Sequence, residues 1–139
     1  MNLTITISKK QGRVLVTILQ LAGKLDGSNY MEMFKEVKMI YAQGVRDLLI
    51  DLSRLTYLSS AGLTAIHRTV WVFHGLSIPE DESGWASFHA IDQDRDSGLQ
   101  KHVKLLSPTP EVAHILDIVG FKSMFEIHTD LDTALASFQ

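Results

Sequence analysis

Leu48, Leu49, Ile50 and Leu52 form a nearly continuous apolar run, and this run limits the fold more than any other stretch. A strand of that kind is covered on both faces, as in the middle of a parallel sheet. After a short loop comes a second apolar pair, Tyr57-Leu58, and then two hydroxyls, Ser59 and Ser60. Leu63, Ile66, Val70 and Phe73 recur at helical spacing, with Ala65 beside them, which predicts a helix from Ser60 to about His74. Ser59 and Ser60 therefore fall where a helix N-cap belongs. A hydroxyl there lies near backbone N–H groups without intrahelical partners and near the positive end of the helix dipole. Such a position favours an anion, whether a bound one or a phosphate placed on the serine.

The chain before this stretch supplies its neighbours. Leu3, Ile5 and Ile7 alternate with Thr4, Thr6 and Ser8, the pattern of a half-exposed strand at a sheet edge. Lys9-Lys10-Gln11-Gly12 reads as a turn, so the next strand, Val14 to Leu21, pairs with the first as a hairpin. That strand is apolar on both faces and runs into Ala22-Gly23-Lys24-Leu25-Asp26. Tyr30, Met33, Phe34, Val37 and Tyr41 form the stripe of a first helix, with Asn29 and Glu32 at capping-box spacing and Gly44 as its stop. A helix between two buried strands implies parallel pairing and a right-handed crossover.

Residues 75–101 break the pattern. Six of the 24 residues from Gly75 to Gly98 are acidic and one is basic, so this reads as an acidic insertion, with Trp85, Phe88 and Ile91 interrupting its polarity. The run Asp92 to Gly98 has some features of a calcium loop, but its glycine is one place late and Val103 stands at position twelve, where the loop needs Glu. Beyond it, Val103, Leu105 and Leu106 make a strand. Thr109, Pro110 and Glu111 open a helix with the stripe Val112, Ile115, Leu116 and Val119, ended by Gly120. Met124, Phe125 and Ile127 read as a last short strand. Thr129 reads as the cap of a terminal helix with Leu131, Ala134, Leu135 and Phe138 facing inward.

Length and composition narrow the functions. At 139 residues the chain is expected to be one domain, 1–139, with 45% apolar and 21% charged residues, ordinary for a soluble globular protein. A net charge of −3 offers no basic excess for nucleic acid. With no cysteine, disulfides, thiolate metal sites and cysteine nucleophiles are excluded. No run approaches 18 apolar residues and no signal peptide is evident, so no membrane insertion is expected and cytoplasm is the expected compartment. His67 and His74 could share a helix face, but the sequence gives them neither an HExxH spacing nor a carboxylate at ligand spacing, so no metal site is assigned. Ser59 and Ser60 have no evident base, the segment is not Gly-x-Ser-x-Gly, and no glycine loop would cradle a phosphate. No catalytic residue and no cofactor is therefore expected. On the residues alone, Ser60 is either a plain helix cap or a modified serine, and Asp26 either a turn acid or part of a binding lip.

The stretch Asp51-Leu52-Ser53 … Ser59-Ser60-Ala61-Gly62-Leu63, with Gly23-Lys24-Leu25-Asp26 before it, resembles the STAS domains, typified by anti-sigma factor antagonists. In that family the strand ends in Asp-Leu-Ser and the helix opens with Asp-Ser-Ser-Gly-Leu; here Ser59 stands for the Asp and Ala61 for a residue that is often Ser. The resemblance covers nearly the whole chain apart from the insertion at about 75–101. It implies an α/β fold: an open mixed, mainly parallel sheet of about five strands with about four helices, in the order β-β-α-β-α-β-α-β-α. It implies that Ser60 is the phosphorylated serine, with Ser59 the alternative acceptor. It further implies that Asp26, Ser59, Ser60, Ala61 and Gly62 form the partner-binding face, and that the partner is a serine-protein kinase acting as an anti-sigma factor. Docking would release a sigma factor. The substitution of Ser59 for Asp keeps a second reading open: a non-phosphorylated scaffold subunit of a lipid-transport or stressosome-like assembly. The oligomeric state stays open.

Overall fold

The computed structural model describes residues 3–74 and 99–139. β1 (Leu3–Gln11) and β2 (Leu15–Leu25) form an antiparallel hairpin. Then follow α1 (Tyr30–Ala42), β3 (Leu48–Leu58), α2 (Ser60–Phe73), β4 (Val103–Leu106), α3 (Pro110–Ile118), a 3-10 turn at Phe121–Ser123, β5 (Ile127–His128) and α4 (Leu131–Ser137). The five strands lie in chain order, β1-β2-β3-β4-β5, and every pair after the first is parallel. The expected fold class is found, and among the described residues so are the expected strand number, helix number and element order. The expected acidic insertion at 75–101, with Trp85, Phe88, Ile91 and the Asp92–Gly98 run, lies outside the described residues except for residues 99–101.

Right-handed crossovers that step in one direction place their helices on one face of the sheet. Accordingly α1, α2 and α3 share one core with Leu19, Leu21, Ile50, Leu52 and Leu105. On the other face α4 brings Ala134, Leu135 and Phe138 against Val16, Ile18, Leu49 and Leu106. β3 is therefore buried from both sides, as its apolar run requires. No helix among the described residues is long and apolar enough to cross a membrane.

Several boundaries differ from the sequence reading. β3 does not stop at Leu52; it continues through Ser53–Tyr57 as one strand to Leu58. Its pairing with β2 survives by two register shifts, between Gln20 and Ala22 and between Gly23 and Lys24, and Gly23 takes φ +103 there. Lys9 and Lys10 are strand residues opposite Thr17 and Val16, not a turn, because an edge strand tolerates exposed lysines. Met124 and Phe125 are buried in the coil after the 3-10 turn rather than in a strand. The terminal helix is capped by Asp130, which accepts the Thr133 N–H at 2.9 Å, instead of by Thr129. Thr109 is the N-cap residue of α3, but its hydroxyl donates to the Leu55 carbonyl at 3.0 Å and so ties α3 to β3.

Two contacts hold elements in place. At the start of α2, a Cβ on Gly62 would stand 2.6 Å from Leu58 Cδ1 and 2.8 Å from the Leu25 carbonyl oxygen, so only glycine lets the helix approach this closely. Between β4, β5 and α4, the buried Lys104 ammonium donates to Glu126 Oε2, to the Ser137 carbonyl and to Ser137 Oγ, each at 3.0 Å. Burial raises the Glu126 pKa; the hydrogen bond and charge of Lys104, with His128 adding to them, outweigh this and hold the carboxyl below its ordinary value.

Two outcomes follow from these contacts. Gly62→Ala gains helix propensity but overpacks the junction, with an expected net loss of about 1–2 kcal/mol in urea unfolding. Glu126→Gln should lower stability by about 1–2 kcal/mol at neutral pH, the half-exposed carboxylate limiting the effect. Because the Glu126 pKa is depressed in the folded state, its contribution is present above the ordinary value of 4.5 and fades as pH falls through the folded pKa. Wild type and Glu126→Gln should therefore converge in acid, which paired urea titrations at neutral and low pH would read.

Candidate functional site

The two strands β2 and β3 end side by side, Leu25 opposite Leu58. The Ser59 N–H then donates to the Leu25 carbonyl at 3.0 Å, which fixes where the chain leaves β3. Ser59 is extended, at φ −90 and ψ 175, and is the N-cap of α2: its Oγ accepts the Gly62 N–H at 3.2 Å. Capping thus falls to Ser59 alone. Ser60 is the first helical residue and is exposed. Its carbonyl accepts the Thr64 hydroxyl at 3.1 Å, while its own hydroxyl has no hydrogen-bond partner among the described residues. Ala61 is half-buried and Gly62 buried beneath it. The first turn of α2 contains no acidic residue, so nothing in it offsets the positive end of the helix dipole.

Asp26 follows directly on Leu25 and so lies at the same end of the sheet as Ser59 and Ser60. Its Oδ1 accepts both the Ser28 N–H (2.9 Å) and the Ser28 hydroxyl (2.6 Å). These bonds, the side-chain one first, hold its carboxyl below the ordinary aspartate value, with Lys24 adding a smaller push in the same direction. Oδ2 has no partner among the described residues. The turn is held by Asn29. That residue is the N-cap of α1 by position, but its side chain makes no cap bond. Instead Oδ1 accepts the Asp26 N–H at 3.0 Å and Nδ2 donates to the Lys24 carbonyl at 2.9 Å. The capping-box reading of Asn29 and Glu32 is thereby corrected: the amide is spent on the loop, where it closes the segment between β2 and α1.

The structure gathers Asp26, Ser59, Ser60, Ala61 and Gly62 at one end of the sheet, on two adjacent chain crossings. It adds two residues that the sequence reading did not single out. Tyr57 is 48% exposed although its neighbour Leu58 is buried, because the two alternate across β3. Met31, in the first turn of α1, is 52% exposed. Register shifts against β2 break the alternation between Leu52 and Leu58, so no period in the sequence flags Tyr57, and nothing in the helical stripe flags Met31. Among the described residues no group of three or more His, Cys, Asp or Glu is placed to hold a metal ion.

Comparison with known proteins places this geometry. The STAS domain family model matches residues 7–75. No curated protein matches the chain by sequence. Among solved structures, an anti-sigma factor antagonist from Mycobacterium paratuberculosis is similar at 19% identity and TM-score 0.68, over 97% of this chain and 92% of that one. A structure from Thermotoga maritima, described as a putative anti-sigma factor antagonist, is similar at 16% identity and TM-score 0.66, over 94% of this chain and 91% of that one. The Bacillus cell fate determinant SpoIIAA in its phosphorylated form is similar at 14% identity and TM-score 0.55, over 94% of this chain and 96% of that one. At these identities the likeness is one of fold, and it extends over the strands and helices that lie beyond the family match. With the match across β1 to α2 and the shared fold around it, the chain belongs to the STAS domain family.

Proposed function

We propose that the protein is a phosphorylation-switched anti-sigma factor antagonist: one STAS domain, cytoplasmic and not an enzyme, which binds a serine-protein kinase anti-sigma factor and so releases a sigma factor. The observation that carries the reading is the division of labour at the start of α2. Ser59 takes the cap, and Ser60, one residue on, presents an exposed hydroxyl without an internal partner. SpoIIAA, which shares the fold, is known in a phosphorylated form.

The switch works through two electrostatic effects of unequal size. A phosphate on Ser60 adds about −1.5 to −2 charges at neutral pH. Inside the domain that charge meets the positive end of α2, which favours it by about 0.3–1 kcal/mol. Against a docked partner it must shed water and face groups arranged for a hydroxyl, at a cost of several kcal/mol. The interface effect is the larger, so modification releases the partner and leaves the fold intact. Asp26, held by Ser28, supplies a fixed carboxylate at the same end of the sheet as the serine, and the exposed Tyr57 ring supplies apolar contact area of the kind that anchors interfaces.

Incubation with a cognate kinase and ATP, followed by mapping of the modified residue, tests the assignment. Ser60→Ala should abolish labelling; full labelling of that variant removes Ser60 from the mechanism. Ser60→Asp should keep its thermal midpoint within about 2 °C of wild type, since surface substitutions rarely shift stability by more than about 0.5 kcal/mol. It should also lose partner binding at least tenfold in calorimetry. Tyr57→Ala should weaken the unmodified complex by about 1–2 kcal/mol without altering phosphorylation chemistry at saturating kinase.

A further inference from the structure

At the opposite edge of the sheet, two strands away from β3, the structure opens a groove of about 440 Å³ along β5. Its volume lies in the range of small-molecule sites, roughly 300–1,000 Å³. Pro108, Ala113, Phe125 and Ile127 give it an apolar lining. Leu99, 51% exposed, stands on its rim. β5 pairs through only two residues, too few to hold an extended peptide by strand addition. The dimensions therefore fit a compact ligand.

Three polar residues enter the same groove: Lys122, Glu126 and His128. Two of them belong to a chain of contacts that starts inside the protein. Lys104, its side chain 4% exposed, holds Glu126 Oε2 at 3.0 Å, and Glu126 Oε1 lies 3.2 Å from His128 Nε2. The Glu126 charge is thus balanced from behind by Lys104. A carboxylate on one imidazole nitrogen fixes the ring and assigns the proton to that nitrogen, Nε2. His128 Nδ1 has no partner among the described residues, and it is left as the open nitrogen of a ring that lines the groove. Lys122 contributes a positive charge, since its contact with Asp117 is 3.6 Å long and both side chains are about 60% exposed.

We propose that this groove binds a small carboxylic acid with an apolar body, its carboxylate held between His128 Nδ1 and the Lys122 ammonium. The apolar body lies on Pro108, Ala113, Phe125 and Ile127. The ligand enters as a carboxylate together with one proton from solvent, which Nδ1 takes up, and the resulting imidazolium stands between two carboxylates, the ligand's and that of Glu126. The site is separate from Ser60, and it stands or falls independently of the switch.

Octanoate is a suitable probe, titrated into the full-length, isotope-labelled protein with amide shifts as the readout. Saturable shifts centred on Ala113, Phe125, Ile127 and His128 are expected. 1-Octanol, of the same length and uncharged, should bind at least tenfold more weakly. Lys122→Gln and His128→Gln should each weaken octanoate at least fivefold; Lys122 is exposed, so that variant keeps the test valid if the histidine variant loses its fold. Equal binding of octanol and octanoate, shifts that do not saturate or that centre elsewhere, or an unchanged affinity in Lys122→Gln would each overturn the proposal.

Discussion

The carbonyl oxygen of Leu25 is the point on which the Asp26–Ser60 end of this protein turns. It ends β2, accepts the Ser59 N–H at 3.0 Å, and lies where any side chain on Gly62 would have to go. Three elements are thereby locked at one spot: the end of β2, the end of β3 and the first turn of α2. The lock has no slack, because Leu25 and Leu58 are both buried and the missing Cβ of Gly62 is what allows the contact. A shift of the helix by a fraction of an ångström would break the Ser59 cap and re-aim Ser60. The exposed serine is thus placed by buried atoms, which gives a surface hydroxyl a fixed position.

The sheet order makes the same end of the molecule available for function. Strands β2 to β5 are parallel, so their carboxyl ends and the helix starts that follow lie together. In open α/β sheets this is the rim at which ligands and partners are met. Here the rim is divided. The ends of β2 and β3 hold Asp26 and the serines, and β5 holds His128 over its groove. Because α1, α2 and α3 all cover one face, the rim between them stays open, while α4 closes the other face through Phe138 and the Lys104 contacts.

Much of this was legible in the residues and some was not, for definite reasons. The stripes Tyr30–Tyr41 and Leu63–Phe73 gave α1 and α2 to within a residue or two, since a buried helical face leaves a 3.6-residue record. The apolar run at Leu48–Leu52 identified the central strand. It did not give the strand's length: Ser53–Tyr57 alternates weakly and is kept in the sheet by bulges opposite Ala22 and Gly23, which are tertiary events. Caps were read by residue type, and type cannot say which of two adjacent candidates makes the bond. Asp130 rather than Thr129, and Ser59 rather than Ser60, were decided by backbone direction. The groove was illegible altogether: its lining comes from residues as far apart as Leu99, Pro108, Ala113 and Lys122, and no spacing records that Lys104 of β4 meets Glu126, just before β5.

On the proposed reading, the choice between Ser59 and Ser60 as phosphate acceptor has a physical answer. The Ser59 oxygen is already committed to the Gly62 N–H, at the same junction where Gly62 meets Leu25 and Leu58. Esterifying it would weaken that acceptor and place a bulky dianion beside a half-buried turn, so modification would act on the fold as well as on the partner. Ser60 is one residue further along, exposed, and owes no bond to the turn. A charge there is read by whatever docks and is nearly silent inside the domain. A reversible switch has to return to the same folded state after each cycle, and only the second position separates the two effects. The substitution that gives this chain Ser59 preserves the separation, because a serine caps the helix with its oxygen as an aspartate would, without adding a fixed charge next to the hydroxyl that is to be modified.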